Sequence, residues 1–176
     1  MRNPSFTCII ILLVGLVLKS PAQISTASLS HIKSVFTKVN SDTHLKKVVL
    51  ENEEFLDQTT DDGASLTGYF AGDSLVKIIF WIGLSYGIQQ TDYYYDNNAL
   101  VFCYVTERHF RLTKTDLDHT KTDIVFEGRY YYNNSSLLEK KTTGSGFWDK
   151  ENEKVIIPDS KEYFKRVTQK MNGKRH

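Results

Sequence analysis

One pattern of residues occurs three times along the chain. Gly68-Tyr69-Phe70-Ala71-Gly72-Asp73-Ser74-Leu75-Val76 is followed by Tyr93-Tyr94-Tyr95-Asp96-Asn97-Asn98-Ala99-Leu100-Val101, then by Tyr130-Tyr131-Tyr132-Asn133-Asn134-Ser135-Ser136-Leu137-Leu138. Each copy has aromatics, four small or polar residues, and two aliphatics. Aromatic and aliphatic runs around Gly-Asp, Asn-Asn or Asn-Ser are the signature of a tight β-hairpin, because those turn residues tolerate positive φ. Two-residue loops at Gly72-Asp73, Asn97-Asn98 and Asn134-Ser135 bring the copies into one register. Phe70 then faces Leu75, Tyr95 faces Leu100 and Tyr132 faces Leu137. On the other side of the sheet Tyr69 meets Val76, Tyr94 meets Val101 and Tyr131 meets Leu138. Aromatic–aliphatic pairs of this kind contribute ~0.2–1 kcal/mol each, and a one-residue slip would exchange the two faces.

The copies begin at 68, 93 and 130, an uneven spacing that excludes a strict solenoid. The expected architecture is a six-stranded antiparallel meander, with strands near 65–71, 74–82, 90–96, 99–107, 124–133 and 136–142. A longer excursion separates the second hairpin from the third. Leu45 to Leu50 reads as a seventh strand. The segments Val76–Ile82 and Leu100–Val105 are apolar on both sides, as in strands covered on two faces. Glu139-Lys140-Lys141 reads as a solvated edge that discourages further pairing.

Helical patterning flanks the strands. Ile32, Val35, Phe36 and Val39 share one helix face, with Ser28 or Ser30 as N-cap. Asp159 and Ser160, after Pro158 and before Tyr163, Phe164 and Val167, announce a short C-terminal helix, with a frayed tail from Asn172. Helices over a sheet face give an α+β fold; the alternative is an all-β curled half-barrel.

The start of the chain carries an address. Arg2 is followed by the apolar run Ile9 to Leu18, then Lys19 and Ser20-Pro21-Ala22. A positive start, a short apolar stretch and a small-x-small ending form a secretory signal, expected to be cut after Ala22. The run is about half the ~20 residues of a membrane-spanning helix. No integral membrane segment is expected after cleavage, and residues 23–176 form one antiparallel-sheet domain, periplasmic or secreted.

Composition narrows the function classes. The 22 basic residues include Arg2 and Lys19 of the leader, so 20 remain against 21 acidic, a net of −1. A near-neutral chain lacks the basic footprint of a nucleic-acid binder. Cys103 is the only cysteine after the leader, so no intrachain disulfide forms, and its apolar strand makes it a small buried hydrophobe. The histidines lack zinc spacing, and there is no nucleophile elbow, phosphate loop or dinucleotide fingerprint. No cofactor or metal is expected.

Four features remain as candidate sites. Asp116-Leu117-Asp118-His119 sets two carboxylates near an imidazole, able to move a proton, although Asp, Thr and Lys crowd that stretch as in a surface loop. Glu107-Arg108-His109 is a similar group where a strand leaves the sheet. Trp81-Ile82-Gly83-Leu84-Ser85-Tyr86-Gly87-Ile88 is an apolar connection with two glycines, which either folds under the sheet or presents Trp81, Leu84 and Tyr86 to a partner. Tyr93 and Tyr95 belong to the tyrosine runs, which offer either sheet packing or a rigid binding platform.

The Gly68-Tyr69-Phe70, Leu75-Val76-Lys77-Ile78, Tyr93-Tyr94-Tyr95, Leu100-Val101-Phe102 and Glu127-Gly128-Arg129-Tyr130-Tyr131-Tyr132 runs carry a resemblance. Over roughly residues 45–142 the chain resembles a group of uncharacterised exported bacterial proteins of Bacteroidetes type, with repeated Tyr-rich hairpins. The signal ending Ala22-Gln23 resembles theirs. The resemblance implies export and a hairpin sheet, and carries over no activity and no functional residue. The expectation is a non-enzymatic exported domain that binds a protein or glycan partner in the cell envelope. The alternatives are an envelope hydrolase or transferase using Asp116–His119 or Glu107–His109, and a structural envelope component.

Overall fold

The computed structural model describes residues 26–58, 60–147 and 152–173. The expected signal segment, 1–22, lies outside them. The order is α1 (Thr26–Ser41), β1 (Lys46–Glu51), a 3-10 turn (Asn52–Glu54), β2 (Ala64–Ala71), β3 (Ser74–Leu84), β4 (Gly87–Asp96), β5 (Ala99–Leu112), β6 (Leu117–Asn133), β7 (Ser136–Gly144) and α2 (Asn152–Gly173). The seven strands form one antiparallel sheet in sequence order, β1 through β7. One helix packs on each face, so the fold is an α+β meander and not a half-barrel.

All three hairpins form where the turn residues place them. Gly72, Asn97, Asn98, Asn134 and Ser135 take positive φ, from 48° to 63°. Phe70 pairs with Leu75, Tyr95 with Leu100 and Tyr132 with Leu137. The next pairs differ from the sequence expectation in the same way each time. Tyr69 faces Lys77, Tyr94 faces Phe102 and Tyr131 faces Glu139. Val76, Val101 and Leu138 are the extra residues of three equivalent β-bulges. A bulge sets two residues against one and turns both toward the same face while sharpening the twist. Val101 and Phe102 accordingly both belong to the α1 face, and Cys103 returns to the α2 face.

Because the register is continuous, side chains line up in rows across the sheet. Nearest α1 runs Lys47–Tyr69–Lys77–Tyr94–Phe102–Tyr131–Glu139, here called the helix row. Beside it runs the middle row, Val49–Thr67–Ile79–Asp92–Tyr104–Arg129–Lys141. Next is the outer row, Glu51–Ser65–Trp81–Gln90–Thr106–Glu127–Thr143. α1 sits on the helix row: Phe36 meets Tyr94 at 5.1 Å and Phe102 edge-on at 5.8 Å, with Ile32 and Val39 buried beneath the helix. Ser28 and Ser30 lie inside α1 and do not cap it. Half-buried Leu29 extends the apolar face one turn upstream of Ile32.

The opposite face holds the larger core. Leu66, Phe70, Ile78, Tyr93, Tyr95, Cys103, Val105, Phe126 and Tyr130 pack there under Ile156, Tyr163, Phe164 and Val167 of α2. That helix is long, not short. Pro158 lies within it, although a proline lacks the N–H for the carbonyl four residues back. Burial explains the tolerance, since Ile156 upstream of the proline is 1 % exposed. Ser160 is therefore no cap; it is buried, and the Tyr95 hydroxyl stands 2.9 Å from its Oγ and donates to its carbonyl at 3.1 Å.

Two further expectations change. The excursion between the second and third hairpins is an extension of both strands, with Arg111 opposite Asp118 and Leu112 opposite Leu117. The apolar connection at 81–88 is not a loop but two strand ends closed by Ser85-Tyr86, with Leu84 paired to Gly87. β7 is an edge strand, as Glu139-Lys140-Lys141 suggested.

Gly68 marks the closest approach of helix and sheet. A Cβ there would stand 2.1 Å from Val167 Cγ1. Gly68→Ala should lower stability by about 1–3 kcal/mol through overpacking. In urea unfolding, Gly68→Ala and Val167→Ala combined should cost less than the sum of the two single changes, because the methyl added on β2 fills the space the valine methyls leave.

Candidate functional site

The middle and outer rows are where α1 ends and the sheet stays open. Trp81 from β3, Gln90 from β4, Tyr104 from β5 and Glu127 and Arg129 from β6 stand side by side there, each half-buried. Alternation along each strand sends these five residues to the side opposite the α2 core.

Three of them hold one another. The Tyr104 hydroxyl donates a short hydrogen bond to Glu127 Oε1, which also accepts from Arg129 Nη2 at 3.2 Å. The Arg129 guanidinium lies 5.1 Å from the centre of the Tyr104 ring, within cation–π range. Burial, then the hydrogen bond and charge of Glu127, push the Tyr104 hydroxyl up to about 12, so it stays a donor at any physiological pH. Gln90 Nε2 donates to Asp92 Oδ1 at 2.7 Å. The Trp81 indole leans over Gly83, where a Cβ would meet it at 3.1 Å.

Under the rim of α1 the same face carries an ion pair. Lys77 Nζ stands 2.8 Å from Asp92 Oδ2, with the two side chains 12 % and 10 % exposed. Lys77 also donates to Asn40 of α1 and lies 4.7 Å from the Tyr94 ring centre. Desolvation pulls the Lys77 pKa down, but the charge and hydrogen bond of Asp92, then Tyr94, outweigh it, and the net shift is upward. Beside this pair, Phe36, Phe102, Tyr131 and Arg129 line a groove of about 310 Å³ that opens onto the middle row.

A second group lies on the other face, at the end of the sheet. Glu107 is fully buried and its Oε1 stands 2.7 Å from His109 Nε2. Tyr86 meets the His109 ring edge-on at 5.0 Å, and Phe147 meets Tyr86 at 5.3 Å. Burial and then the Glu107 charge raise the Tyr86 hydroxyl pKa. The Phe147 amide donates to Glu107 Oε1 at 3.4 Å, and a Cβ on Gly146 would lie 2.2 Å from that carboxylate. Backbone therefore closes over Glu107, and of the Glu107–His109 pair only the imidazole reaches solvent.

The 116–119 group does not converge on one point. Asp116 Oδ1 accepts from the Leu117 amide, and Asp118 is held by Thr120 and Lys121. Those bonds, Lys121 first, hold the Asp118 carboxyl well below the usual carboxylate range. His119 bulges out, and its ring lies tilted against Phe110 at 4.5 Å. Among the described residues no group of three His, Cys, Asp or Glu is placed to hold a metal ion, and no helix is long and apolar enough to cross a membrane.

The sequence-nominated residues thus scatter. Trp81 is on the open face. Leu84 is near the β3–β4 turn, and Tyr86 is in that turn, beside His109. Tyr93 and Tyr95 are 1 % and 3 % exposed beneath α2 and offer no surface. Tyr104, Arg129, Glu127 and Gln90 escaped notice in the sequence. The signal that would find them is cross-strand: counted from the turns through the bulges, they fall into rows with Trp81.

Lys77→Met should destabilise by about 3 kcal/mol, because it strands Asp92 without its partner. Lys77→Met/Asp92→Asn should recover more than half in chemical denaturation. The Lys77 pKa is raised on folding, so the pair's contribution is present at neutral pH and is lost as pH climbs above the ordinary lysine range. Lys77→Met should lack that alkaline loss.

Comparison with protein-family models, with curated proteins and with solved structures returned no match.

Proposed function

We propose that this chain is an exported, non-enzymatic binding domain that holds a protein or envelope polymer on the open half of the α1 face. The observation that carries the reading is the registered set Trp81, Gln90, Tyr104, Glu127 and Arg129, all half-buried, in which Glu127 is bonded to both Tyr104 and Arg129. Aromatic rings supply large contact area at small entropic cost, and polar groups fixed before binding lose little freedom on binding. Export rests on the leader, Arg2 through Ala22, and places the domain in the periplasm or outside the cell.

A second reading, hydrolysis or group transfer, is favoured by one observation: the buried Glu107 carboxylate backs the His109 imidazole at 2.7 Å. A carboxylate so placed orients the ring and supports it as a general base. With Gly146 over the carboxylate, a substrate would meet His109 and its aromatic neighbours but not Glu107.

Two measurements test the main reading. The intact mass of protein recovered from the periplasm or medium of an expressing bacterium should correspond to a chain beginning at Gln23; retention of residues 1–22 contradicts export by cleavage. The immobilised protein should retain a component of envelope extract that Trp81→Ala/Tyr104→Ala loses and His109→Ala keeps. Turnover of a substrate that disappears with His109→Ala and survives Trp81→Ala/Tyr104→Ala would instead establish the second reading.

A further inference from the structure

The open face has a charge pattern that selects among occupants. Lys77 is answered by Asp92 at 2.8 Å and Arg129 by Glu127 at 3.2 Å. The middle and outer rows also hold Lys141, paired to Glu139 at 3.2 Å, and Glu51, and Arg108 stands one row beyond, so charges of both signs alternate over this face. A charged polymer gains most from unanswered charge of opposite sign, and this surface offers little. A protein hot spot is built around an anchor in a fully desolvated pocket, whereas Trp81 is only half-buried and both its cross-strand partners, Ser65 and Gln90, are polar. The combination of a flat indole and planar amide, carboxylate and guanidinium groups matches a sugar ring. Its C–H face packs on an aromatic plane and its hydroxyls reach outward to fixed polar partners. Trp81 and Tyr104 stand two strands and one row apart, about 12 Å between Cα atoms at ordinary sheet spacings, so a ligand touching both is longer than one ring.

We propose that the occupant of this face is a neutral polysaccharide laid across β3 to β6, with Trp81 as the stacking plane and Gln90, Glu127 and Arg129 as its hydrogen-bonding groups. The proposal rests on the binding-domain reading above. Tyr104 contributes ring area and holds Glu127 and Arg129 in place.

Native gels cast with hydroxyethyl cellulose, laminarin, xylan or mannan test it, against gels without polymer and with the anionic polymer alginate. The exported protein should be retarded by at least one neutral polymer. Trp81→Ala and Tyr104→Ala should each weaken that retardation at least tenfold, and Trp81→Phe, which keeps a ring should the alanine variant misfold, should retain part of it. Leu112→Ala, 84 % exposed at the far hairpin tip, should match wild type. Retardation unchanged in folded Trp81 and Tyr104 variants, or stronger retardation by alginate than by any neutral polymer, overturns the proposal. A photo-cross-linker at position 104 separates the two failures. Cross-linking to an envelope protein without retardation overturns the polysaccharide and leaves the binding face; absence of both overturns the binding face as well.

Discussion

The register of this sheet depends on a bulge repeated one residue after the aromatic–leucine pair of each hairpin. In a regular strand Val76 and Lys77 would point to opposite faces. With the bulge both turn toward α1, and so do Val101 and Phe102. This single local choice widens the apolar strip beneath α1 while returning Ile78 and Cys103 to the α2 core. Without it, every residue beyond the bulge would change sides, and Trp81 and Tyr104 would be buried under α2.

The two faces that result are chemically unlike. The α2 face carries the larger apolar core, with the Tyr95 hydroxyl bonded to Ser160 and the buried Glu107 at the end of the sheet. The α1 face mixes rings with an ion pair, a carboxylate–guanidinium contact and an amide. Stability resides chiefly on the first face, because apolar burial dominates folding. The second face is held in shape by directional bonds, and half of it is left uncovered by α1.

Much of the fold was legible in the sequence because turn chemistry is local. Gly72, Asn97-Asn98 and Asn134-Ser135 specify tight turns through positive φ, and the first pair after each turn follows. The bulges were not legible, since Val76, Val101 and Leu138 suit either face of a covered strand. The length of α2 was hidden by Pro158, whose usual meaning is a boundary, and only the tertiary burial of Ile156 shows otherwise. The extension of β5 and β6 was hidden by charged residues that read as loop. For the site, Trp81 stood out as an aromatic in an apolar run. Tyr104 and Arg129 acquire meaning only once four strands are aligned, and Tyr93 and Tyr95 looked like surface until α2 covered them.

The position of α2 has a consequence for how the chain comes into being. Strands pair with their sequence neighbours, so the meander can form progressively as residues emerge, with short loops to close. Yet α2 follows all seven strands, and it returns across the sheet to rest against β1, β2 and β3, the first strands made. Val48, Leu50 and Leu66 therefore wait, uncovered, until α2 has been made after all seven strands. A nascent sheet of this kind carries an apolar flank for most of its assembly, which is the condition under which an unfinished chain aggregates or engages a chaperone.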